Sequence, residues 1–70
     1  MIKISSVDEY GNVAHSAYFD KVSQTGFLVM LTELGTNHAA VLNLETLHLD
    51  WVGEGCCDRL LGKLIVEEVN

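Results

Sequence analysis

A carboxylate, a glycine, an imidazole and a phenol stand at fixed offsets near the start of this 70-residue chain: Asp8, Gly11, His15 and Tyr18. Placed just before a helix, these groups could do hydrolytic chemistry. A carboxylate in the preceding turn can act as nucleophile or general base on a group lying across the helix N-terminus. The free N–H groups of the first turn, with the positive end of the helix dipole, can stabilise an oxyanion there. Gly11 lets the turn fold tightly, His15 can orient a substrate or a water, and Tyr18 lies one helical turn further on.

The elements needed to position them are read as follows. Ile2 to Val7 alternates as a short strand, with Ile2 and Ile4 on one face. Asp8 to Asn12 carries turn chemistry. Ser16 can serve as an N-cap, which predicts a helix from about Ala17 to Leu34 with Gly35 at its C′ position. Phe19 and Val22 share a face of that helix, while Phe27 to Leu31 is apolar nearly all round, as in a helix covered on more than one side. Gly26 would cost it about 1 kcal/mol relative to alanine, which close approach of a neighbouring backbone would justify.

Ala39 to Val52 reads as one long strand whose parity changes between Leu44 and Leu47, predicting a bulge or sharp bend near Glu45-Thr46. Gly53-Glu54-Gly55 is read as a turn. Arg59 to Val69 is apolar on both faces and is expected inside a sheet. Strand, long helix, long strand and strand make an α+β domain in which a sheet wraps one helix.

The run from Asp8 to Tyr18 resembles the start of the hot-dog-fold acyl-CoA thioesterases of the 4-hydroxybenzoyl-CoA thioesterase type. Their pattern D-x-x-G-x-V-x-H-x-x-Y is met by Asp8, Gly11, Val13, His15 and Tyr18. Asp50 and the segment Cys57-Asp58-Arg59-Leu60 are similar to the family's second strand and to the G-D-x-L that opens its third. The resemblance implies a hot-dog-like antiparallel sheet around one long central helix, a single domain over 1–70, truncated after its third strand. It implies an acyl-CoA thioester hydrolase with Asp8 as nucleophile or general base and His15 as a catalytic partner. Gly11, Val13, Ser16, Ala17 and Tyr18 would then contact the substrate. No cofactor is implied, since CoA enters only as part of the substrate.

The chain also departs from that family. Ser23 and Gly26 stand where family helices carry glutamate and arginine, Cys57 replaces a glycine, and nothing after Val69 matches two strands interior to the family's sheet. A second expectation follows: a non-catalytic, truncated remnant acting as an oligomeric interaction protein or an acyl-CoA-binding protein.

Composition narrows the classes further. The chain is 49% hydrophobic without proline, so an ordered core is expected, and surface left over favours a homo-oligomer that completes the sheet. A net charge of −6 with four basic residues argues against nucleic acid and anionic membranes as partners. Met1 to Ser6 offers no secretory apolar stretch, and Phe27 to Leu31 is too short to span a bilayer. The adjacent Cys56 and Cys57 are no disulfide framework, so a reducing cytoplasmic setting is expected. They are also poorly spaced to join His38 and His48 around zinc, and no metal is expected. His48 belongs with Thr46 and Asp50 on a polar face, and Glu67-Glu68 reads as protection of a sheet edge. Plainer readings stand beside the catalytic ones: Asp8 as a turn residue, His15 as a helix-entry residue bonding a carbonyl, and Tyr18 as packing.

Overall fold

The computed structural model describes residues 1–53 and 59–69. Six strands account for its regular structure: β1 (Ile2–Val7), β2 (Val13–Thr25), β3 (Leu28–Glu33), β4 (Ala39–Asn43), β5 (His48–Val52) and β6 (Lys63–Glu68). They form one antiparallel sheet in the order β5-β4-β3-β2-β1-β6. The described residues contain no helix.

The expected α+β hot-dog fold, with a central helix and truncation after a third strand, is therefore overturned by an all-β sheet of six strands. The range assigned to the helix, Ala17 to Leu34, is the later part of β2, a hairpin and β3. Period two decides it. Ala17 and Phe19 are buried while Ser16, Tyr18 and Asp20 are exposed, and Val29 and Leu31 are buried while Leu28 and Met30 are exposed. β-branched and aromatic residues populate this range and suit a pleated, half-buried surface. Ser16 is thus a strand residue and caps no helix. Gly26 opens a two-residue loop between Thr25 and Leu28 at φ 60°. A glycine in that first loop position with positive φ suits a tight hairpin turn, which explains a residue that a helix would only tolerate. Gly35, at φ 96°, belongs to the β3–β4 turn and not to a helix end.

β1 covers the range read from its alternation. Beyond β3 two more expectations change. The parity switch in Ala39 to Val52 is a complete reversal: Asn43 Oδ1 accepts the N–H groups of Glu45 and Thr46 at 2.9 and 3.1 Å, and Leu47 takes φ 54°. A hairpin restores the inward face without the extra strand residue that a bulge supplies. Arg59 to Val69 contributes only β6, and that strand is at the sheet's edge, not inside it. The readings placed on Glu54, Gly55, Cys56, Cys57 and Asp58 lie outside the described residues.

The long strand β2 shears the sheet. Val13 to Phe19 pairs with β1, whereas Phe19 to Thr25 pairs with β3, so the two halves of the sheet are offset along it. Such stagger accompanies curling towards a barrel. Curling is direct in the ring contact of Phe19 on β2 with Trp51 on β5, whose centroids are 5.8 Å apart. Three strand spacings in a flat sheet would separate them by roughly 14 Å. The concave side holds the core, built on Ile4, Phe19, Leu31, Ala40, Leu42 and Leu64. Leu60, from the connection between β5 and β6, is buried against it at φ 60°. A leucine holds that left-handed backbone only where surrounding structure compensates its strain.

Candidate interaction site

The residues singled out from the sequence do not converge. Asp8 is exposed, and its Oδ1 accepts the N–H groups of Tyr10 and Asn12, each at 2.9 Å. Gly11 closes the same turn at φ 83° by donating to the Asp8 carbonyl at 3.0 Å. The carboxylate thus works as the turn residue of the plainer reading. Val13, opposite Val7, and His15, opposite Ser6, are exposed on β2. Ser16 meets Ser5 through their hydroxyl oxygens at 3.1 Å, and Ala17 is buried opposite Ile4. Tyr18 lies opposite Lys3, whose Nζ sits 5.8 Å from the ring centroid. Three residues apart, His15 and Tyr18 would share a helix face, but along a strand they point to opposite faces. Beside Asp8 there is a strand and no helix N-terminus, so the first-turn N–H groups expected to stabilise an oxyanion are not formed there.

The strongest polar cluster lies elsewhere. Glu33, buried at the end of β3, receives Arg59 Nη1 on Oε2 at 2.9 Å and Arg59 Nη2 on Oε1 at 2.7 Å. Thr36 Oγ1 donates to Glu33 Oε1 at 2.7 Å, and His38 Nδ1 lies 3.8 Å from the same oxygen. The Arg59 hydrogen bonds hold the Glu33 carboxyl below its ordinary value, against the opposing effect of burial. The guanidinium also lies 5.2 Å from the Trp51 ring centroid, and Trp51 Nε1–H donates to the Arg59 carbonyl at 3.1 Å. This cluster ties the β5–β6 connection to the sheet. Every Glu33 oxygen is committed within it, so it reads as a structural clamp. Its carboxylate escaped notice in the sequence because it fell within a range read as helix.

A cleft of about 370 Å³ opens at one end of the curled sheet. Ile2, Val29, Leu42 and Val66 supply apolar wall, and Glu67 and Glu68 border it. A register shift at Val22 turns Lys21 and Gln24 to the same cleft, where Lys21 Nζ meets Gln24 Oε1 at 3.3 Å. One lysine beside two glutamates is a poor match for the phosphates of CoA.

The remaining feature is the outer edge of the sheet. β6 pairs with β1 on one side, and among the described residues nothing pairs with its other side. Lys63, Ile65 and Glu67 share its outward face, all exposed, with Leu64 and Val66 turned towards the core. That alternating charge–apolar–charge spacing was visible in the sequence, but only an edge position gives it meaning. Apolar surface is plentiful beyond the edge: Leu28 and Met30 on β3 and Val52 on β5 are also exposed. Among the described residues no group of three His, Cys, Asp or Glu side chains is placed to hold a metal ion, and no helix is long and apolar enough to cross a membrane.

No family model matches the chain, and neither a curated protein nor a solved structure matches it.

Proposed function

We propose that this chain is a non-catalytic interaction domain that self-associates through its sheet edge. The observation that carries the reading is the side of β6 left open among the described residues, on a strand with no proline and with Ile65 exposed at 42%. An uncovered edge presents a row of N–H and C=O groups that another strand can satisfy; Lys63, Glu67 and Glu68 guard this one against strands of unmatched charge but leave Leu64 to Val66 apolar between them. Large apolar side chains left in water on β3, β5 and β6 support the same reading. The hydrolase reading has less in its favour. Asp8 spends an oxygen on its own turn, and His15 and Tyr18, which were to act with it, point to opposite faces of β2.

Sedimentation velocity across a wide concentration range, with an acyl-CoA hydrolysis panel on the same preparation, tests the proposal. A concentration-dependent dimer or larger species without turnover is the expected result. A monomer at every concentration, or turnover abolished by Asp8→Asn, overturns it.

A further inference from the structure

Resting on that reading, we infer that β6 pairs antiparallel with β6 of a second copy, in a register centred on Ile65. The backbone fixes which residues face the open side, and the charges then select the register.

Val69 N–H donates to the Met1 carbonyl at 2.9 Å, which points the peptide groups of Val69 towards β1. In an antiparallel ladder this orientation alternates, so Glu67, Ile65 and Lys63 also bond towards β1. Leu64, Val66 and Glu68 therefore direct their N–H and C=O groups to the open side. A two-fold axis through Ile65 sets Leu64 of each copy opposite Val66 of the other, and these residues carry the free donors and acceptors. Ile65 then meets its own counterpart at a non-hydrogen-bonded position, where side chains approach most closely.

The same axis sets Lys63 opposite Glu67 of the second copy, and Glu67 opposite Lys63. Opposite charges face each other twice, flanking an apolar centre on the outward face, while Leu64 and Val66 continue the inward one. Shifting by two residues loses the match. Centred on Leu64, Lys63 faces Ile65; centred on Val66, Ile65 faces Glu67. A continuous sheet requires outward residues to oppose outward residues, so odd shifts are excluded. An isologous contact of this kind closes on itself as a dimer. The repulsion of two chains of net charge −6 opposes any association, so the paired charges at the strand ends matter for whether it forms.

Charge exchange tests the register. Lys63→Glu and Glu67→Lys each set like charges opposite one another twice, and each should weaken the homodimer by roughly tenfold or more in dissociation constant. Glu67→Lys lowers the net negative charge, so a mere net-charge effect would strengthen the dimer. Mixing the two variants restores both pairings in a heterodimer, and Lys63→Glu/Glu67→Lys restores them in a homodimer. Far-ultraviolet circular dichroism confirms that each variant is folded, and the mixture rescues association only if both are. Amide exchange supplies a second readout. Leu64 and Val66 should become protected as concentration rises, whereas Ile65 should be protected throughout. A dimer indifferent to these exchanges, or one in which Leu64 and Val66 stay unprotected, overturns the register while leaving self-association intact. A wild-type monomer at all concentrations overturns both.

Discussion

Arg59 grips Glu33 with two parallel hydrogen bonds of 2.9 and 2.7 Å, joining the connection after β5 to the far end of β3. Both oxygens of a buried carboxylate are thereby satisfied, and the guanidinium carbon lies 5.2 Å from the Trp51 ring centroid. The pair spans a sequence separation of 26 residues, which makes it a tertiary staple and not a local turn bond. A domain this small draws on few such contacts.

Removing one partner should cost more than removing both. Arg59→Leu leaves the buried Glu33 carboxylate without the guanidinium that grips both its oxygens, and about 2 kcal/mol or more of stability should be lost. Glu33→Leu combined with Arg59→Leu should recover most of that, because no charge is left uncompensated. Urea unfolding followed by Trp51 fluorescence measures both, since Trp51 is the chain's one tryptophan. Equal losses in the single and double variants would contradict the clamp.

The same carboxylate sets an acid limit. Arg59 hydrogen bonding depresses the folded-state value of Glu33 below its ordinary 4.5. A depressed carboxylate contributes stability that is present above the unfolded value and is lost as pH falls through the folded one. The urea midpoint should therefore decline as pH drops below about 4.5. In Glu33→Gln that contribution to the slope should be absent. Parallel acid profiles for the two proteins would remove Glu33 from the account.

Gly26 separates strand from helix by the sign of one substitution. In a helix, Gly26→Ala would stabilise by about 1 kcal/mol. At φ 60° in the β2–β3 loop, with open space around the would-be Cβ, alanine meets no clash but pays for its backbone. The expected result is a loss of about 1 kcal/mol, with Gly26→Asn costing less because asparagine tolerates that region. Thermal unfolding of the three proteins decides it.

Asp8 should behave as a turn residue. Asp8→Asn keeps an oxygen to accept the Tyr10 and Asn12 N–H groups and should leave stability nearly unchanged. Asp8→Ala loses that acceptor in an exposed turn and should cost about 1 kcal/mol or less. Two-dimensional amide spectra should show shifts confined to the turn. Shifts that spread across the sheet would mean that Asp8 organises more than its own loop.

Local chemistry was legible where local chemistry decides. The strand at Ile2 to Val7 and the turn at Asp8 to Asn12 follow from neighbours along the chain and occur where that chemistry places them, whereas the bulge or bend expected near Glu45-Thr46 is a full hairpin reversal at that position. The stretch from Ala17 to Leu34 was ambiguous by its nature. Phe27 to Leu31 is a short apolar run that fits a buried helix as well as a strand, and Phe19 with Val22 fits a helical spacing although only Phe19 is buried. Gly26 was the local clue that favoured a hairpin.

What the amino-acid order determined by itself is a folded, acidic, apolar-rich chain with its turns at particular places. Which residues meet was decided by the tertiary structure. His15 and Tyr18 part because a strand sends them to opposite faces, and Glu33 finds Arg59 because the sheet curls until its distant strands touch. Backbone pairing is the reason. Side chains one turn apart in a helix are neighbours by sequence alone, whereas neighbours across a sheet exist only after strands far apart in the chain have chosen their partners and register.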